Sequence, residues 1–150
     1  MSWSGRLAEL GLELPTVAVP AGVYLPAVRT GSLVFTAGQI PLVGGSLAAV
    51  GKLGAEIDVE RGARLARTCA LNALAAVDAL VGLDSVSRVV KVVGFVASAP
   101  GFSAQPAVLN GASELLGEVF GAAGAHARSA VGVAELPMGA PVEVELIVEV

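Results

Sequence analysis

One cysteine and one histidine stand among the 150 residues, and each scarcity excludes a chemistry. Cys69 alone forms no intramolecular disulfide and supplies no multi-cysteine zinc site. His126 alone rules out a histidine metal cluster within one chain. Charge is scarce as well: 15% of the residues are charged, against about 25% in typical domains. Nine Lys and Arg face thirteen Asp and Glu, a formal net charge of -4, and no basic run is present. That balance argues against a nucleic-acid partner, which needs a basic face to displace phosphate counterions. No apolar run reaches the roughly 18 residues of a membrane-spanning helix. The longest candidates are interrupted by Asn72, Asp78 and Lys91. The opening Met1-Ser2-Trp3-Ser4-Gly5-Arg6 lacks the charged-then-apolar pattern of a signal peptide. The expectation is a soluble, cytoplasmic protein. There is no G-x-S-x-G elbow and no phosphate-binding glycine loop. Gly121 to Gly124 is Gly/Ala-rich, but it follows an expected helix instead of opening one and reads as a turn.

What the chain does have is apolar residues, 55% of the total against about 45–50% in ordinary domains. Two explanations compete. One is a dialect rich in Gly, Ala and Val. The other is an obligate oligomer, whose interface resembles a domain core cut in half. The length suits one domain over residues 1–150, able to bury a core without disulfides or metal.

The patterning predicts an α+β order. Ser4 is an expected N-cap for a short helix over Gly5 to Leu10. Val23 to Arg29 and Leu33 to Ala37 read as strands joined by the turn Thr30-Gly31-Ser32. A short third strand is expected near Ala48 to Lys52. Asp58 would cap a helix from Val59 to about Leu80, with Leu65, Cys69, Ala73, Ala76 and Leu80 on its apolar stripe. Val86 to Ala97 reads as a central strand covered on both faces. A second helix starts near Ser103, with Pro106 in its first turn, and ends before Gly121. Arg128 to Glu135 and Val142 to Val150 are two final strands. This order suits a two-layer sandwich: a mixed sheet with both helices on one face. The other face needs a cover, and a partner subunit is the simplest one.

Cys69, on the apolar stripe, reads as a buried inert thiol. His126 precedes a strand in a turn context. Arg128 opens a strand of small and apolar residues, Ser129-Ala130-Val131-Gly132-Val133. Two readings stand: an arginine snorkelling out at a strand edge, or a guanidinium fork gripping a small carboxylate. Glu143 alternates with Glu145 and Glu149, which makes either a solvated acidic face or a functional carboxylate. If the two terminal strands are neighbours, Glu143 comes near Arg128, as an ion-pair partner or as a base for water.

Several stretches converge on one family. Gly22-Val23-Tyr24 and Phe35-Thr36-Ala37-Gly38-Gln39-Ile40-Pro41 resemble the N-terminal signature of the Rid (reactive intermediate deaminase, YjgF-type) family, also labelled L-PSP endoribonuclease-like. Ala127-Arg128-Ser129-Ala130-Val131, Leu136-Pro137 and Val142-Glu143-Val144-Glu145 resemble its C-terminal signature. Each segment alone is weak, but the set keeps its order and spacing from about Tyr24 to Val148. Met1 to about Thr16 looks like the N-terminal extension of a longer subgroup.

The resemblance implies a chorismate-mutase-like homotrimer with clefts between subunits. It implies hydrolysis of enamine and imine intermediates such as 2-aminoacrylate to 2-keto acids and ammonia, without a cofactor. Arg128 would bind the substrate carboxylate and Glu143 would position the attacking water. The backbone at Gly38 and Ala130 would contact the reacting nitrogen or water, and Tyr24 and Asn110 would shape the pocket. Ala130 stands where many active members carry cysteine, and Ala37 where many carry serine. Asn110 matches only with one residue inserted before Arg128. Two other functions compete: a small-carboxylate-binding regulatory trimer without turnover, and the ribonuclease or translation-inhibitor role long attached to the family. The acidic balance argues against the last.

Overall fold

A computed structural model describes residues 2–150; Met1, which opens the expected N-terminal extension, lies outside them. Ser2, not Ser4, caps the first helix, α1 (Trp3–Glu9), by accepting from the Gly5 N–H at 3.0 Å. Ser4 is instead held by Asp84: its N–H donates to Oδ1 at 2.8 Å and its hydroxyl to Oδ2 at 2.7 Å. Trp3 anchors the helix by donating to the Val86 carbonyl at 2.7 Å and packing edge-on against Phe120.

The first strand is shorter than the sequence suggests. β1 (Ala27–Thr30) starts only after Pro26, and residues 12–26 form no strand. Proline lacks the N–H that a ladder needs, so Pro20 and Pro26 keep this segment irregular. β2 (Leu33–Thr36) pairs with β1 across Gly31, whose φ is 58°. The expected strand at Ala48–Lys52 does not form. A small hairpin precedes it, β3 (Leu42–Val43) and β4 (Ser46–Leu47), turned by Gly44 and Gly45 with φ 59° and 85°. Two successive positive φ values make the tight turn that suits strand twist, and glycine supplies them without strain.

α2 (Val59–Val81) is capped by Asp58, whose carboxylate accepts from the Arg61 N–H at 2.8 Å. Leu65, Cys69, Ala73 and Ala76 are buried as the periodicity requires, whereas Leu80 is exposed and Val77 takes the last core position. α3 (Gln105–Phe120) buries Leu109, Ala112, Leu116 and Val119. The helices cross at glycine: a Cβ on Gly111 would collide with the Ala63 carbonyl.

Both helices lie on one face of a mixed sheet ordered β1-β2-β7-β5-β6, with β5 (Arg88–Ala97), β6 (Ala127–Val133) and β7 (Val142–Glu149). The two terminal strands are not neighbours. β5 lies between them, parallel to β6 and antiparallel to β7. The reason is α3: a helix crossover returns the chain parallel to β5 on its free side, leaving β7 to fill the gap between β2 and β5. Val142, Val144, Leu146 and Val148 of β7 are buried against the helices, as their alternation predicts. β5 is covered on one face only; Val93 and Phe95 are half-buried on the other. Across that open face runs a row of cross-strand neighbours, Val28, Phe35, Ile147, Lys91 and Ala127. Val28 is 50% and Phe35 40% exposed, so part of the chain's apolar surface lies uncovered on this face.

Candidate functional site

Arg128 is the second residue of the edge strand β6, and strand alternation turns it toward α3. Its Nη1 donates to Asn110 Oδ1 at 2.9 Å and to Ser113 Oγ at 3.1 Å, and its Nη2 points at the Pro106 carbonyl at 3.4 Å. Among the described residues no carboxylate pairs with it. No hydrogen bond within the described residues uses its Nε–H, and Nη2 has one more N–H than the Pro106 contact takes. Uncommitted guanidinium donors of this kind can meet a carboxylate. The snorkelling alternative is not what the side chain does, since it lies down along α3.

Behind the fork stands a chain of directional hydrogen bonds. Ser113 Oγ accepts from Arg128 and lies 2.9 Å from His126 Nε2. His126 Nδ1 lies 2.6 Å from the Gly124 carbonyl. A carbonyl only accepts, so Nδ1 carries the proton and Nε2 accepts in the neutral ring. Ser113 is the residue that sequence reasoning missed. The available signal was spacing: Asn110 and Ser113 are three apart on one helix flank, and His126 and Arg128 two apart at the start of one strand. Ala130 occupies the next helix-facing position of β6, opposite Gly94.

The remaining expected site residues sit elsewhere. Glu143 alternates with the buried Val142 and Val144, so it faces away from the helices. Phe95 pairs with Glu143 on one side and with Val131 on the other, which puts a whole strand between Glu143 and the Arg128 strand. Within one chain the expected Arg128–Glu143 contact does not form. Glu143 packs instead on Gly38: a Cβ there would lie 2.8 Å from Glu143 Cδ and 3.0 Å from Oε2. Gly38 thus makes the room in which the carboxylate rests. Tyr24 lies nearby in the irregular segment, 51% exposed, its Oη accepting from the Ala21 N–H at 3.3 Å. Tyr24, Phe35, Gly38, Phe95, Glu143 and Glu145 line a shallow depression of about 600 Å³. Partial burial raises the Glu143 pKa above its ordinary 4.5, and the neighbouring Glu145 adds to the rise.

The six residues therefore form two clusters on opposite faces of the sheet: Arg128, Asn110 and Ala130 at the β6 edge, and Tyr24, Gly38 and Glu143 above β2 and β7. The chain matches a known family model over residues 4–150, described as "YjgF/chorismate_mutase-like, putative endoribonuclease". The chain belongs to the YjgF family. A curated relative, Protein TCP17 of Trypanosoma cruzi, is 47% identical over 97% of this chain and 95% of its own. Atu1372 of Agrobacterium tumefaciens, a crystal structure of unknown function, is 44% identical with a TM-score of 0.89, covering 99% of this chain and 92% of that one. A Shewanella oneidensis crystal structure that carries the same endoribonuclease description is 34% identical with a TM-score of 0.96, and each chain covers 100% of the other.

The lone thiol of this YjgF-family chain stands outside both clusters. Cys69 is buried, with Sγ 3.6 Å from the Val142 carbonyl. Burial pushes its pKa well above the ordinary value, and the Glu143 charge pushes the same way, so no thiolate nucleophile is at hand. No helix among the described residues is long and apolar enough to cross a membrane.

Proposed function

We propose that the protein is a homotrimer that hydrolyses enamine and imine intermediates of the 2-aminoacrylate type to 2-keto acids and ammonia. The observation that carries this reading is the Arg128 guanidinium, fixed by Asn110, Ser113 and Pro106 with its Nε–H and one Nη2–H left uncommitted. Such a fork suits a small carboxylate better than a phosphodiester chain on a protein of net charge -4. Neither cluster is a complete site alone. A neighbouring subunit seated on the open, half-apolar sheet face is what would bring the Glu143 cluster of one chain to the Arg128 fork of the next.

The chemistry then follows from position. Arg128 holds the carboxylate and so fixes the imine carbon. Water adds to that carbon, Glu143 taking a proton from the water and passing it to the nitrogen, which gives a carbinolamine. Glu143 then moves the hydroxyl proton of the carbinolamine to the same nitrogen as the carbon–nitrogen bond breaks, so that ammonia leaves and the 2-keto acid remains. A carboxyl whose pKa burial raises above the ordinary value holds a proton more readily, which suits the returning half of this transfer. No cofactor is called for, because the imine is already electrophilic.

The separation of Glu143 from Arg128 within one chain keeps a second reading in play, a carboxylate-binding trimer without turnover. The test generates 2-aminoacrylate with a dehydratase and traps surviving imine with semicarbazide. Wild type is expected to suppress trapping and Arg128→Ala to lose that effect. Glu143→Gln is expected to abolish turnover while retaining 2-keto acid binding. Wild type that binds 2-keto acids yet never suppresses trapping would favour the binding trimer.

A further inference from the structure

Under the irregular segment 15–24 runs a groove that the two clusters do not use. It consists of two adjoining cavities, of about 160 and 650 Å³, which share Ala18, Val19, Leu42 and Gly45 as walls. The smaller opens beside Tyr24 and Gly38, at the edge of the Glu143 depression. The larger continues away from them as far as Asn72. No Lys, Arg, Asp or Glu lines either cavity.

Two buried amides open onto this groove with hydrogen-bonding capacity unspent. Gln39 is 6% exposed, and its side chain has no partner among the described residues, although its backbone pairs with Val144. Asn72 is 5% exposed; its Nδ2 donates to the Ile40 and Leu42 carbonyls, both at 3.1 Å. Two carbonyl acceptors fix which end of that amide is nitrogen, so Oδ1 is the end left unpaired. No described side-chain polar atom that is sealed from solvent lacks a partner, so neither unspent amide end is sealed, and Gln39 lines the smaller cavity and Asn72 the larger. Met138 stands at the mouth with φ 61°, the one described non-glycine residue in the left-handed region.

We infer that this groove receives the substrate side chain, and that the preferred substrates are 2-imino acids with long, uncharged side chains. The inference rests on the deaminase reading of the adjoining clusters. The single methylene of aminoacrylate leaves the groove to water, whereas a leucine- or methionine-type chain displaces it and buries apolar surface. A charged chain would be desolvated among walls that offer no counter-ion. The two amides add hydrogen bonds for a chain that ends in an amide.

The test compares kcat/KM for imines derived from leucine, serine, glutamate and arginine, in wild type and in Ala18→Trp, which plugs the shared middle of the groove from an irregular segment. The leucine-derived imine is expected to exceed aminoacrylate at least tenfold and the charged imines to fall below it. Ala18→Trp is expected to lower the leucine-to-aminoacrylate ratio at least tenfold. Turnover of aminoacrylate with no preference for the longer neutral chain, or an unchanged ratio in the variant, would overturn the groove and leave the deaminase reading standing. If no imine is turned over, that reading fails, and calorimetry with 4-methyl-2-oxopentanoate, pyruvate and 2-oxoglutarate reads the groove by itself. Tightest binding of the first, lost in Ala18→Trp, supports it; equal or absent binding overturns it.

Discussion

Arg128 and Ser113 share a 3.1 Å hydrogen bond in which the guanidinium donates, and the same hydroxyl lies 2.9 Å from His126 Nε2. Removing that hydroxyl leaves an Arg128 N–H and the His126 Nε2 without their partner. Because a carboxylate clamp acts on substrate and transition state alike, its loosening raises KM more than it lowers kcat. Ser113→Ala is therefore expected to raise KM about tenfold, or about 1.4 kcal/mol, with kcat little changed. Ser113→Thr keeps the hydroxyl and is expected to restore KM. Steady-state kinetics on the two variants checks this; an unchanged KM in Ser113→Ala would remove Ser113 from the positioning of Arg128.

Gly38 separates activity from stability. Its φ is not in the left-handed region, so alanine is tolerated by the backbone, and the atoms nearest to the new Cβ belong to the Glu143 side chain. The carboxylate must move aside. Displacing a proton-transfer group by about 1 Å costs on the order of a hundredfold in rate. Gly38→Ala is expected to lose about that much kcat while its thermal midpoint stays close to wild type. A variant that unfolds early, or one that keeps full activity, would contradict the role given to this contact.

Much of this arrangement was legible in the sequence because it depends on period and parity. Val142, Val144, Leu146 and Val148 announced which face of β7 is buried, and Asp58 and Gly82 marked the ends of α2. Strand neighbours were not legible in the same way. Nothing in the local pattern of β6 or β7 says that β5 runs between them, so the expected nearness of Arg128 and Glu143 failed on topology. Ser113 escaped because a serine on a helix flank carries no signal until the strand opposite is known. The hairpin at Leu42–Leu47 escaped because its two-residue strands are too short for any alternation, although Gly44-Gly45 marked the turn.

Glu143 also ties stability to pH. Burial raises its folded pKa above the unfolded value, so its stabilising share is complete below the ordinary pKa of 4.5 and is lost as pH rises through the folded value. Above that point a half-buried charge opposes folding, and a neutral amide of the same shape does not. Glu143→Gln is expected to melt about 1–2 °C above wild type near neutral pH, partial exposure keeping the gain small. The gap should close as the pH falls below 4.5. Melting curves of both proteins across this range check the sign; a variant less stable than wild type at neutral pH would reverse it.

The central claim is that a working site joins Arg128 of one subunit to Glu143 of another, and subunit mixing tests it most directly. On the proposed trimeric assembly, coexpressing Arg128→Ala with Glu143→Gln puts both lesions in one particle. Where an intact Arg128 meets an intact Glu143 across an interface, a wild-type site reappears. Random assembly of a cyclic trimer makes about a quarter of its sites wild type. Imine-trapping assays are expected to return about that fraction of wild-type activity, from two variants each nearly inactive alone. Activity no greater than the sum of the separate variants would place the site within a single chain and contradict the account.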